Sequence, residues 1–505
     1  MSRPAATLAA VIIAGTITRA AALLAMDGIL PLGWLYVDEH TYTAGTGADP
    51  FEKPPGTALL AGPLVAVAGP VAARAVFSAF TLLPAVLLSR RATGRWSSLA
   101  ALLASFDPFL VYAGMQILPE APAAALAAAA VAAMPRDASS ARAGSRTALS
   151  GVALGASCLF RAELALLAPA SLLYRPGRRW FLFAAGLAAP LAAAVLFHAC
   201  GGGGIPAATN ASENAWLGTR IELLRTPPGV EFEALVGMDP GAGDTFLSRA
   251  ADSVLSDPGG TALFALRKAL AGVAVPGEGR NLDDPWLMRR TGLLYLLPVS
   301  AVALVIGLAG SFRGSAGGAC WLTRAAFPAL LASSALFFPA LRYRTALMPL
   351  FWDAASRAPA RRNLRFLCAS ALVLTAASVT GIDAARPGLA YVARAGEEID
   401  HGLPLEALAT LDSARARGFR GADLHNLGGI ALAVTGRREE ALRELLLAQE
   451  MAPGSPSVWR NSAVLYHEMG MTGEAQTAAR RAVSLYPGLE PLLSPLTGGG
   501  GDGPR

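Results

Sequence analysis

The sequence predicts an all-α protein in two parts. A polytopic membrane domain of about 10 to 12 transmembrane helices fills residues 1–383, and a stack of helix pairs fills 387–490. Three observations carry this. Of 505 residues, 53% are hydrophobic and 15% charged, where soluble domains carry about 25% charged residues. Apolar runs near the roughly 20 residues a helix needs to cross hydrocarbon recur through the first three quarters of the chain. After Ile382 the composition turns mixed and a repeat of 34 residues appears.

The long runs are 5–26, 72–89, 97–117, 118–134, 181–200, 293–310, 321–341 and 366–382, with shorter ones at 147–160, 164–174 and 345–352. The first exceeds the apolar core of a signal peptide and contains Arg19, so it reads as a retained helix. Cys158, Cys200, Cys320 and Cys368 lie in or beside apolar runs with no Cys-x-x-Cys spacing, which indicates neither a zinc site nor a disulfide framework.

Short loops rich in arginine set the orientation. Arg90, Arg91 and Arg95; Arg136, Arg142 and Arg146; Arg175, Arg178 and Arg179; and Arg357, Arg361, Arg362 and Arg365 are assigned to the cytoplasmic side by the positive-inside bias. That puts the outer loops 27–56 and 201–290, and the C-terminus, on the opposite face of an inner (plasma) membrane. The net charge of +6 is accounted for by these arginines, and no nucleic-acid partner is implied. In the second outer loop, Asp257-Pro258 can start a helix through Leu263, Leu266, Leu270 and Val273, with Arg267 and Lys268 on its other side. Such a helix suits the membrane interface.

In the repeat, His425, Gly429, Gly436, Ala441, Ala448 and Pro453 recur 34 residues later as Trp459, Ala463, Gly470, Ala475, Ala482 and Pro487. Tyr391, Ala395, Gly402, Ala407 and Ala414 extend the pattern backwards, with Phe419 where proline would stand. This is the period of tetratricopeptide repeats, and about three fill the segment. Residues 491–505, ending in a glycine-rich stretch, are expected to form a disordered tail.

Charges beside hydrocarbon are costly unless they face water or a partner, so they read as a functional site. Asp38, Glu39 and His40 follow the first run, and Lys53 closes the same loop before Pro54-Pro55. The topology brings Glu120, Arg342 and Arg344 to the same face. Among 42 basic residues only Lys53 and Lys268 are lysine, and both fall at this outer interface.

The chain here resembles the polytopic GT-C glycosyltransferases, in particular the bacterial branch related to protein mannosyltransferases and lipid A aminoarabinose transferases. The resemblance rests, in order, on Val37-Asp38-Glu39-His40-Thr41-Tyr42 with Phe51-Glu52-Lys53-Pro54-Pro55, and on Asp107-Pro108-Phe109 through Leu118-Pro119-Glu120. Phe160-Arg161-Ala162-Glu163 follows, then Arg342-Tyr343-Arg344 with Met348-Pro349. It spans about three quarters of the chain and excludes the repeats. It implies a GT-C fold and inverting, direct-displacement transfer of a sugar from a polyprenyl-phosphate donor to an extracytoplasmic protein, lipid or glycan. It also implies Asp38 as catalytic base, Glu39 assisting, and Glu120 contacting the acceptor or a metal. Magnesium or manganese between Asp38 and Glu120 is allowed by the resemblance and not required.

The chemistry itself asks for the same groups. A carboxylate takes the acceptor's proton and cations stabilise the departing phosphate. Lys53, Arg342 and Arg344, with Tyr343 and His40 beside them, are the expected lipid-phosphate set, since arginine binds phosphate through a fork and lysine as a point charge. An acceptor protein or assembly partner is expected on the repeats. The rival reading is a non-catalytic scaffold that recruits envelope-polysaccharide assembly partners through them.

Overall fold

The computed structural model describes residues 3–36, 38–43, 55–135, 140–174, 177–200, 216, 219, 246–273, 284–312, 321–337, 344–357 and 389–497. Of these 84% are helical and none is in a strand, as the composition predicts. Two compact units form, residues 1–219 with 254–279 and 284–382, and residues 220–253 with 280–283 and 383–505.

The first helices in chain order are α1 (Arg3–Asp27), α2 (Asp38–Thr43), α3 (Pro55–Arg91), α4 (Arg95–Ser105), α5 (Pro108–Gly114), α6 (Glu120–Ala133) and α7 (Ala143–Cys158). A 3-10 turn (Ala162–Leu166), α8 (Leu167–Leu172), α9 (Arg179–Cys200), α10 (Phe246–Ser256), α11 (Pro258–Gly272) and α12 (Asp284–Arg290) follow. A second 3-10 turn (Leu293–Leu296), α13 (Leu297–Phe312), α14 (Trp321–Leu336) and α15 (Met348–Arg357) come next.

Among the described residues, four helices are long and apolar enough to cross a membrane: Pro4–Asp27, Pro55–Arg91, Arg95–Gly114 and Arg179–Leu196. Three shorter apolar helices accompany them, Glu120–Ala133, Ala162–Leu172 and Leu293–Ile306. This is fewer than the 10 to 12 the sequence predicts, the count being of the described residues alone. Inside one of the four, Arg95–Gly114, Asp107 starts a new helix, capping α5 by accepting from the Phe109 and Leu110 amides, with Pro108 in the first turn. The 366–382 run lies outside the described residues. Within α3, Gly69 adopts φ +80° just before Pro70, so the element is two helices joined at a kink. Its first half, 55–69, escapes notice as an apolar run because three glycines and two prolines dilute it.

Small residues let the helices approach closely. A Cβ on Gly151 or Gly155 of α7 would come within 2.1 and 2.2 Å of the Phe183 and Leu187 carbonyl oxygens of α9. One on Gly186 would come within 2.2 Å of the Ala148 oxygen. Packing of this kind holds helices together in lipid, where the hydrophobic effect cannot. On α7, Ser150 and Ser157 donate to the Ala130 and Ala123 carbonyls of α6 at 2.7 and 2.8 Å. Ile13, Ile17 and Leu24 of α1 and Leu196 of α9 stay exposed, as lipid-facing positions do.

Arg19 is buried in the middle of α1 and fully engaged. Its guanidinium donates to the Ser78, Thr81, Gly15 and Ser105 carbonyls and to the Thr81 hydroxyl at 2.8–3.1 Å. α11 begins where the sequence predicts, with Asp257 accepting from the Gly260 amide at 2.9 Å. The expected sidedness is inverted for one residue. Leu263, Leu266 and Arg267 are exposed, whereas Lys268 is 2% exposed and donates to the Phe337 carbonyl at 3.0 Å.

In the second unit, α16 (Leu389–Asp400) and α17 (Pro404–Ala416), α18 (Ala422–Val434) and α19 (Arg438–Met451), and α20 (Pro456–Glu468) and α21 (Thr472–Leu485) form helix pairs. Gly402, Gly436 and Gly470, each 34 residues from the next, take φ of 74°, 80° and 76° where the first helix of a pair turns into the second. A left-handed residue closes a helix at no steric cost only when it is glycine. Ala395, Ala407, Ala414, Ala441, Ala448, Ala463 and Ala482 are fully buried between helices. Phe419, in the place of proline, packs on Tyr391 with ring centroids 5.6 Å apart.

The expected tail requires correction. Residues 490–497 form α22 (Glu490–Thr497), whose Leu493 and Leu496 pack on Ala478, Ala479 and Ala482. A stack of repeats exposes an apolar face at its end, and an added helix covers it. Residues 498–505 lie outside the described part.

Candidate functional site

The loop after α1 turns at Ile29–Leu35 and enters α2, whose second residue is Glu39. Glu39 is 2% exposed. Its Oε1 and Oε2 pair with Nη1 and Nη2 of Arg74, from the second half of α3, at 2.5 and 2.6 Å. The same two oxygens accept from the Ile117 amide at 2.7 Å and the Tyr36 amide at 2.9 Å. Arg74, with no exposed surface, also donates to the Leu32, Trp34 and Met115 carbonyls at 3.2, 2.7 and 2.8 Å. The pair therefore stitches two irregular segments, the turn before α2 and the turn after α5, to α3. A buried carboxylate is tolerated because every donor aimed at it is in place.

Glu120 opens the first turn of α6, where helix amides favour negative charge. It is 1% exposed, and its Oε1 accepts from Arg161 Nη1 at 3.1 Å. Arg161 precedes the first 3-10 turn and also holds Glu163, Nε to Oε1 at 2.6 Å. Two acids thus share one guanidinium. Close by, the Gly56 amide at the start of α3 donates to the Leu159 carbonyl at 2.8 Å. A Cβ on Gly56 would meet that oxygen at 2.8 Å and the Phe160 ring at 3.0 Å.

These contacts form a closed circuit: α2 to 115–117 through Glu39, along the chain to Glu120, across to Arg161, back through Leu159 to Gly56, and on through α3 to Arg74. Asp38 and His40 stand on α2 either side of Glu39, His40 exposed. The side chain of Asp38 and residues Lys53, Arg342 and Tyr343 lie outside the described part.

Arg344 corrects the sequence reading. It is 1% exposed, with its guanidinium 4.1 Å from the centre of the Phe109 ring, and Asp107 acts on it electrostatically. Asp107 itself accepts from Trp352 Nε1 at 2.8 Å. An arginine enclosed by protein in this way is a structural group rather than a ligand for a lipid phosphate. Glu39, expected to assist Asp38, has both its carboxylate oxygens held by Arg74 and by backbone amides.

Among the described residues, no group of three or more His, Cys, Asp and Glu side chains could hold a metal ion. Beside Glu120 the Arg161 guanidinium occupies a cation's position. Arg74 escaped the sequence reading although the signal was present, since an arginine inside an apolar run demands a partner. Arg161 has an acid two residues away in Glu163, and its reach to Glu120 spans 41 residues, which sequence spacing does not reveal.

No protein-family model, no curated protein and no solved structure matches the chain.

Proposed function

We propose that the chain is a GT-C-type glycosyltransferase that moves a sugar from a polyprenyl-phosphate donor to an extracytoplasmic acceptor. The observation that supports this reading is the circuit at α2, which ties the helix that carries Asp38 through Glu39 to Arg74 and to the 115–117 segment leading into Glu120 and its partner Arg161. Preorganised charge of this kind is what displacement at an anomeric carbon needs.

In this reading the acceptor hydroxyl oxygen attacks the anomeric carbon while Asp38 takes the hydroxyl proton. The carbon–oxygen bond to phosphate breaks with inversion, and the polyprenyl phosphate leaves as an anion. Lys53 and Arg342 are the cations that meet it, with Tyr343 and His40 adjacent. Glu39 positions Asp38, and Glu120 with Arg161 forms the acceptor side. The helix pairs of 387–490 serve as tetratricopeptide repeats that hold an acceptor protein or an assembly partner, and they share the outer face of the plasma membrane with the active loop.

The test is transfer from a panel of radiolabelled polyprenyl-phosphate sugars in membranes carrying the protein. Asp38→Asn is expected to abolish transfer while expression and insertion persist. Full activity in that variant sinks the assignment. Absence of transfer from every donor by the unaltered protein favours a scaffold that acts through the helix pairs.

A further inference from the structure

Away from the circuit, four helix ends of the membrane unit meet in one patch. Trp180, in the first turn of α9, donates from Nε1 to the Ser171 hydroxyl of α8 at 2.9 Å. Phe183 of α9 stands edge-on to Trp321, the first residue of α14, with ring centroids 4.8 Å apart. From the same turn of α14 the Arg324 guanidinium lies over the Tyr174 ring, just beyond α8, 4.2 Å from its centre. A Cβ on Gly144, in the first turn of α7, would meet Leu182 Cδ1 of α9 at 3.5 Å. The starts of α7, α9 and α14 and the end of α8 are thus neighbours.

The patch is strongly basic. Its residues 140–147, 171–174, 177–183 and 321–325 include five arginines and no acid. Two of the five are engaged within the fold: Arg146 donates to the Ala133 and Ala132 carbonyls at the end of α6, and Arg324 stacks on Tyr174. Arg142 and Arg178 are exposed and Arg179 is half-buried, and among the described residues none of these three side chains has a hydrogen-bond or ion-pair partner. Uncompensated like charges gathered on one surface favour an anion. A guanidinium meets phosphate through its planar fork.

The neighbouring surface decides which kind of anion. α9 is one of the helices long and apolar enough to cross a membrane, and its apolar span begins at Arg179. That sets Arg178 and Arg179 at the level of lipid headgroups, with Trp180 and Tyr174 beside them, as aromatic side chains stand at a membrane boundary. Next to these, Leu172, Leu173, Phe181 and Leu182 are exposed. A soluble phosphate or an acidic peptide would leave those apolar groups uncovered, whereas an acyl chain covers them.

We propose that this patch binds an anionic phospholipid, with the headgroup phosphate on Arg142, Arg178 and Arg179 and an acyl chain along Phe181 and Leu182. The site is separate from the circuit at α2 and does not depend on sugar transfer.

The test titrates the full-length protein in mild detergent with dioleoyl phosphatidylglycerol or dioleoyl phosphatidylcholine and counts bound lipid by native mass spectrometry. The unaltered protein is expected to prefer the anionic lipid by at least about tenfold. Arg178→Gln with Arg179→Gln is expected to weaken anionic lipid by about thirtyfold, the effect of two cations near a lipid surface, and to leave phosphatidylcholine unchanged. Arg142→Gln, on a different helix, is expected to weaken it by about fivefold. Arg178→Lys with Arg179→Lys keeps the charge and is expected to keep most of the preference. Arg90→Gln with Arg95→Gln, two exposed arginines of another arginine-rich loop, is the control expected to change nothing. No preference for the anionic lipid in the unaltered protein overturns the site, as does unchanged affinity in the glutamine variants of the patch. Equal loss in the control also overturns it, because overall charge then explains the binding, and so does a loss in the lysine pair as large as in the glutamine pair. Water-soluble glycerophosphoglycerol binding as tightly as the intact lipid overturns the assignment to lipid, since the apolar neighbours then take no part.

Discussion

Replacing Glu39 by glutamine separates a structural from a catalytic role for this acid. In the native protein each carboxylate oxygen accepts one bond from Arg74 and one from a backbone amide, Ile117 on Oε1 and Tyr36 on Oε2. Glutamine is the same size, but one oxygen becomes an NH2. Whichever way the amide turns, that NH2 faces an arginine N–H and a backbone N–H, so two bonds are lost and the buried guanidinium keeps its charge uncompensated. Breaking a buried pair from one side costs about 3–5 kcal/mol, a large part of the roughly 5–15 kcal/mol that holds a typical protein folded. The assay is reversible unfolding in mixed SDS–detergent micelles, run as a double-mutant cycle of Glu39→Gln, Arg74→Met and the protein carrying both changes. The pair is expected to cost less than the sum of the two single changes, because removing both charges leaves neither unpaired. A Glu39→Gln protein as stable as the native one but inactive in transfer would refute this reasoning and return Glu39 to the chemistry.

Gly155→Leu is expected to force α7 and α9 apart, since even a Cβ would stand 2.2 Å from the Leu187 oxygen; loss of a disulfide cross-link engineered between the two helices measures it. In the second unit, Glu444 accepts from His425 at 2.9 Å and from Arg415 at 2.7 Å. Burial pushes its pKa up, but the His425 hydrogen bond and the charges of Arg415 and His425 outweigh this and hold it below the ordinary 4.5. A carboxyl lowered in the folded state stabilises above its unfolded value, and that contribution disappears as the pH falls below 4.5 through the folded value. Hydrogen exchange over 422–451 is therefore expected to speed up on acidification through this window, by no more than about 1 kcal/mol in opening energy for so exposed a pair, and Glu444→Gln is expected to remove the pH dependence.

What could be read from the sequence was whatever local geometry dictates. Asp257-Pro258 is a helix start by residue type alone, and it begins a helix; Asp107-Pro108 has the same form and also begins one, inside what reads as a single apolar run over 97–117. Gly402, Gly436 and Gly470 mark turns because the chain must go left-handed there. The fate of charges was not legible in the same way. Adjacency suggested that Glu39 works with Asp38, but Glu39 is claimed by Arg74, 35 residues away. The preference for lysine at the outer interface suggested an exposed Lys268, and packing against Phe337 buries it instead. Propensity gives the cost of a buried charge and not the identity of its partner, which only the tertiary fold supplies.

The arginines explain why the membrane unit tolerates so many breaks in its apolar runs. Each interrupted helix leaves carbonyls without amide partners, and in a bundle surrounded by lipid no water reaches them. Arg19 takes the carbonyl of Ser105, the last residue of α4, together with those of Ser78 and Thr81. Arg74 takes Leu32 and Trp34, from the turn before α2, and Met115, from the turn after α5. A guanidinium with five donors is the side chain best able to satisfy several such carbonyls at once, and the surplus positive charge then requires an acid. For Arg74 that acid is Glu39. The acid that holds the α2 loop in place and the acid proposed to act as base are therefore separate residues, and the first confers on the second a fixed backbone position.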